Sequence, residues 1–99
     1  MYARVTQWDG VDDEALQRFA EMIKSADGPP PGVPSSGIMV LNDPPNGRSL
    51  VIGLFDTEED LRTGDAALRA MDRPPEATGE ISSIGFYEVA AERRIERPA

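Results

Sequence analysis

Gly37-Ile38-Met39-Val40-Leu41 and Ser49-Leu50-Val51-Ile52-Gly53-Leu54-Phe55 are the two stretches on which the fold turns. Each is an apolar run of strand length, and Asp43-Pro44-Pro45-Asn46-Gly47-Arg48 between them is turn chemistry. Asn46-Gly47 is expected to supply positive-φ residues, giving an antiparallel hairpin with a longer-than-minimal loop. Neither run alternates apolar with polar. In the later one Leu50, Ile52 and Leu54 take one side while Val51, Gly53 and Phe55 take the other, and residues 38–41 are apolar on both sides too. An antiparallel sheet with one solvated face alternates, so this hairpin predicts cover on both faces.

Working outward, residues 2–8 are β-branched and aromatic enough for a strand, which Asp9-Gly10 stops. Asp12 can cap a helix whose first turn holds Asp13 and Glu14, and Leu16, Phe19, Ala20, Ile23 and Ala26 recur at helical spacing. Gly28 and Pro29-Pro30-Pro31 end it, and residues 28–36 read as a proline-stiffened surface loop, a connector or the rim of a pocket. After the hairpin, Thr57-Glu58-Glu59-Asp60 opens a second helix. Its inward stripe is Leu61, Leu68 and Met71, and Arg73-Pro74-Pro75 terminates it. Residues 80–90 make a last strand with Gly85 as a bend. The order β-α-β-β-α-β predicts a ferredoxin-like α+β domain over residues 1–91. It has a four-stranded antiparallel sheet with both helices on one face, followed by a frayed or partner-docked tail at 92–99.

Two helices cover one face only, so the helix-free face is expected to be apolar. The Tyr2/Trp8 side of the first strand, with Arg4 and Thr6, reads as part of that open surface. Monomers seldom leave such a patch open. A homodimer with the two sheets facing each other, a dimeric α+β barrel, covers it most simply. A cavity beside the sheet is then the place for a small molecule.

Composition narrows the chemistry. The 99 residues include 18 acids, 10 Lys or Arg, no cysteine and no histidine, for a net charge of −8. That rules out disulfides, thiolate nucleophiles and histidine-based catalysis or ligation. The acidic balance repels phosphate backbones and anionic lipid, so neither nucleic acid nor a membrane is expected as a partner. The RNA-binding variant of this topology also needs a basic-aromatic third strand, which residues 49–55 lack. Asp12-Asp13-Glu14 and Glu58-Glu59-Asp60 sit at helix starts, where capping and the macrodipole account for them, so no metal and no cofactor are expected. Met22, Met39 and Met71 read as gap-filling core. Without an apolar run of signal-peptide or membrane-spanning length, the expected location is cytoplasmic.

The element order and above all Leu54-Phe55-Asp56-Thr57-Glu58-Glu59-Asp60-Leu61 resemble the antibiotic-biosynthesis-monooxygenase-like family, over roughly residues 2–89. The resemblance implies a dimeric α+β barrel whose cavity is lined by strand residues and the second helix. In some members that cavity hosts cofactor-independent oxygenation of polyphenols, in others haem degradation. The chain departs from the pattern at two points. Phe55 stands where a tryptophan is usual, and Gly64, nine residues on, where many members carry histidine. Histidine-ligated haem is therefore excluded.

The residues chemically suited to such a cavity are Arg4, Trp8, Asn42, Phe55 and Tyr87. Each has a plainer reading beside the functional one. Trp8 is a stacking wall or an ordinary interface aromatic. Tyr87 is a donor to a ligand or to the protein itself. Arg4 binds a carboxylate or enolate, or pairs with one of many acids. Asn42 is polar lining or part of the hairpin turn. The expectation is a dimeric barrel that binds a small aromatic or apolar molecule; the alternative is a non-catalytic ligand-binding or interaction module.

Overall fold

A computed structural model describes residues 1–71 and 79–96. The chain forms β1 (Tyr2–Asp9), α1 (Asp13–Ser25), β2 (Gly37–Asp43), a 3-10 turn (Pro44–Asn46), β3 (Arg48–Phe55), α2 (Glu58–Ala70) and β4 (Glu80–Glu88). The strands lie in the order β2-β3-β1-β4 and every neighbouring pair is antiparallel. This is the α+β, βαββαβ architecture that the element order demands.

Local chemistry explains both helix starts. The Asp12 carboxylate accepts from the Ala15 amide at 2.8 Å, and the Thr57 hydroxyl accepts from the Asp60 amide at 3.0 Å. Acids fill both first turns, and Lys24 and Arg69 sit in the last turns, so each helix dipole is complemented at both ends. Both helices stop early: α1 closes with Ala26 as its C-cap, two residues short of Gly28, and α2 with Met71. The Arg73-Pro74-Pro75 stop lies outside the described residues.

The hairpin connection is tighter than expected. Only Gly47 takes a positive φ, +61°; Asn46 instead belongs to the 3-10 turn, and its Nδ2 donates to Asp43 Oδ2 at 2.8 Å. Two prolines with φ held near −65° start a 3-10 turn readily, which leaves one residue to reverse the chain.

Register assigns the faces. Tyr2 pairs with Phe55, Arg4 with Gly53, Thr6 with Val51 and Trp8 with Ser49. Phe55 is fully buried among Val33, Leu61, Ala67 and Leu68, so its side of the sheet is the helix side. The Tyr2/Arg4/Thr6/Trp8 side of β1 therefore lies beneath the helices, a correction to its expected place on the open face. The physical reason is that Phe55 must go under α2, and Tyr2 follows it across the ladder. On the helix-free side stand Ala3, Val5, Gln7, Met39, Leu41, Leu50, Ile52, Leu54, Ser83, Gly85 and Tyr87.

Two further expectations change. Val33, in the proline-rich loop, is a core residue. The loop is tied down as well: Val33 N–H donates to the Pro30 carbonyl, and Ser36 N–H donates to the Leu54 carbonyl at 2.7 Å, extending the sheet edge. The methionines are not core: Met22, Met39 and Met71 are all exposed. Met22 lies six residues from buried Leu16, about 240° round the helix. Met39 is on the helix-free face, and Met71 falls past the end of α2. Among the described residues no helix is long and apolar enough to cross a membrane.

Candidate functional site

An open cleft of about 500 Å³ lies between α2 and the strands β1 and β4, lined by Tyr2, Glu58, Leu61, Arg62, Asp65, Phe86, Tyr87 and Glu88. Glu58, Leu61, Arg62 and Asp65 follow at spacings of three, four and seven along α2, which puts them on one helix face. The β1–β4 register sets Glu88 beside Tyr2 and Phe86 beside Arg4, so all four point to the helix side. Tyr87 borders the cleft at the strand edge while its ring lies across Gly85 on the opposite face.

Beneath the cleft runs an ion-pair network. Arg4 Nε donates to Asp65 Oδ1 at 2.9 Å, and Arg4 Nη1 donates to Thr6 Oγ1 at 2.9 Å. Arg69, one turn further along α2, donates to both Asp65 oxygens at 2.9 Å. Burial pushes the Asp65 carboxyl up, but hydrogen bonds and charge from Arg4 and Arg69 outweigh it and hold the carboxyl below its usual range. Arg4 and Thr6 are buried polar groups on the helix face of β1, and this network satisfies them. It also pins α2 to the sheet.

Phe55 shapes the core beside this network. A Cβ built on Gly64 would stand 2.5 Å from Phe55 Cε1, and one on Gly53 would stand 3.3 Å from Cε2. The ring is thus seated in a slot between two glycines, one on α2 and one on β3. At residue 64, where the resembled family places histidine, the space is already filled by the Phe55 ring.

The sequence-derived candidates scatter. Phe55 is core. Arg4 is committed to Asp65 and Thr6. Trp8 lies six residues along β1 from Tyr2, about 20 Å from that end of the strand. Asn42 belongs to β2 rather than to the turn, where it is exposed and accepts from the Ser49 hydroxyl at 2.9 Å. Only Tyr87 borders the cleft, and it is 59% exposed. The remaining lining residues escaped sequence reasoning. The α2 set was legible as a single helix face, whereas Tyr2, Phe86 and Glu88 needed the β1–β4 register.

The two acidic clusters occupy the first turns of α1 and α2, as their spacing suggested. At the far end of the helix-free face, Arg48 Nε pairs with Asp9 Oδ1 at 3.1 Å. Hydrogen bonds from Ser82, Arg48 and Gln7 hold the Asp9 carboxyl below its ordinary value.

These features define an α+β protein of ferredoxin-like topology with an aromatic-walled cleft against its second helix. The chain matches no family model, no curated protein and no solved structure.

Proposed function

We propose that this protein is a homodimeric binding module that holds a small aromatic molecule in the cleft between α2 and β4. The observation that carries the reading is the cleft itself, with Tyr2, Leu61 and Phe86 as walls and an ion-pair floor that rigidifies them. A few apolar walls plus a small number of placed polar groups is the usual make-up of a ligand pocket.

The helix-free face supports the dimer. In a chain that is 28% charged, its central positions Ala3, Val5, Met39, Leu41, Leu50, Ile52, Leu54 and Tyr87 carry no charge. Met39, Leu41 and Tyr87 there are exposed. A second copy, itself at −8, meets no like charge at such a surface, and sheet-on-sheet packing of two copies makes the barrel. Binding without turnover is favoured over oxygenation of a phenol. The guanidinium best suited to hold an enolate, that of Arg4, is buried and already engaged by Asp65 and Thr6.

Sedimentation velocity with thermal-shift titration tests both halves. The expected result is a dimer at micromolar concentration, stabilised by aromatic compounds, with no oxygen uptake on hydroquinones or anthrones. A monomer, no stabilisation by aromatic compounds, or oxygen uptake by the pure protein overturns the reading.

A further inference from the structure

We propose that the cleft selects for positive charge: its ligand is an aromatic amine or other aryl cation, recognised by Glu88 beside the Tyr2 and Phe86 rings. The inference rests on the cleft being the binding site proposed above. Three carboxylates and one guanidinium line it, but they are not equivalent. Glu58 Oε1 is bonded to Arg62 Nη2 at 2.6 Å. Both Asp65 oxygens are held by Arg69, and one also by Arg4. Glu88 has no ion-pair or hydrogen-bond partner for its side chain among the described residues. Its neighbours on the same face are Tyr2, directly across the ladder, and Phe86, two residues back along β4.

Aromatic faces beside an uncommitted carboxylate are the recognition chemistry of an organic cation. The ring quadrupole and the anion attract the same charge, and the aromatic part of the ligand stacks on the walls. An anion finds the opposite. Arg62 is paired, Arg4 is buried, and the whole chain carries −8. The overall charge of −8 disfavours the approach of phenolates and carboxylates, and Glu88, the lining carboxylate not already paired with an arginine, is the local group that attracts a cation.

Three probes of nearly the same shape separate charge from shape: tryptamine, indole and indole-3-acetate, titrated calorimetrically into the full chain at low salt. Tryptamine is expected to bind tightest and indole-3-acetate weakest, with about tenfold between them. Glu88→Gln should weaken tryptamine by about threefold to tenfold and leave indole unchanged; 0.5 M salt should do the same. Phe86→Ala should weaken all three. Equal affinities, or tightest binding of the anion, overturn the charge selection and leave the aromatic cleft standing. Binding of none of them overturns both.

Discussion

Replacing Gly64 by alanine tests whether the Phe55 ring is clamped between helix and sheet. In an ordinary helix interior the substitution stabilises by about 1 kcal/mol, because glycine loses more backbone entropy on folding. Here the new methyl would lie 2.5 Å from Phe55 Cε1, 2.8 Å from Cζ and 3.4 Å from Val33 Cγ1. Carbon atoms prefer about 3.5–4.0 Å, so an overlap of about 1 Å must be relieved. The ring has little room to retreat, since it is 0% exposed and Gly53 backs it on the sheet side at 3.3 Å from a built Cβ. Helix and sheet must move apart instead, and overpacking of this kind costs about 1–3 kcal/mol. The overlap is severe enough to place the cost at the upper end. The net expectation is a loss of about 1–2 kcal/mol and a melting temperature lower by about 5–15 °C. The assay is urea and thermal unfolding of wild type, Gly64→Ala, Phe55→Leu and the double variant at one fixed protein concentration. In the leucine background the obstruction is gone. Alanine then shows its helix propensity and becomes neutral or stabilising, a coupling of about 1–3 kcal/mol. A rise in stability for Gly64→Ala alone, or a cycle with no coupling, refutes the clamp. Histidine at 64 is expected to expel Phe55 or prevent folding.

Gly85→Ala gives the opposite outcome from a similar clash. Its Cβ would lie 2.7 Å from Tyr87 Cε2, but that ring is exposed and swings away, so unfolding should shift by less than about 0.5 kcal/mol. Asp65→Ala strands the buried Arg4 and should cost about 3–5 kcal/mol, whereas Arg4→Met with Asp65→Leu should stay within about 1 kcal/mol of wild type, both read by urea unfolding. Because the Asp65 carboxyl is held below its ordinary value, its contribution is complete above the unfolded value of about 3.9 and is lost as pH falls through the lower folded value. The urea midpoint should therefore begin to drop below about pH 4, and Asp65→Asn should remove part of that drop. Ile52→Glu places a charge in the middle of the helix-free face; sedimentation velocity should show a monomer whose circular dichroism is unchanged.

The order of elements, both helix starts and the two-sided apolar character of β3 were legible along the chain. They rest on neighbours within four residues: a cap and the amide it satisfies, a stripe at helical spacing, a proline that ends it. Even there the turn at 44–47 came out tighter than Asn46-Gly47 suggested, because two prolines upstream had already set the backbone. What only the tertiary structure decided is which side of each strand faces which neighbour. Alternation divides β1 into a Tyr2/Arg4 side and an Ala3/Val5 side, but nothing local says which goes under a helix. Phe55 settles that from more than fifty residues away, through its seat between Gly53 and Gly64. Its choice of face carries Arg4 to Asp65 and lines Phe86 and Glu88 up beside Tyr2, and so makes the cleft. Tyr87 was the obvious chemical candidate in β4, yet its ring lies on the opposite face, one residue out of phase with the wall. Cross-strand register is a long-range property, set by what the core will bury, and a shift of one residue exchanges the two faces. That is why the sequence alone specified the elements of this protein, and why packing around one phenylalanine specified the site.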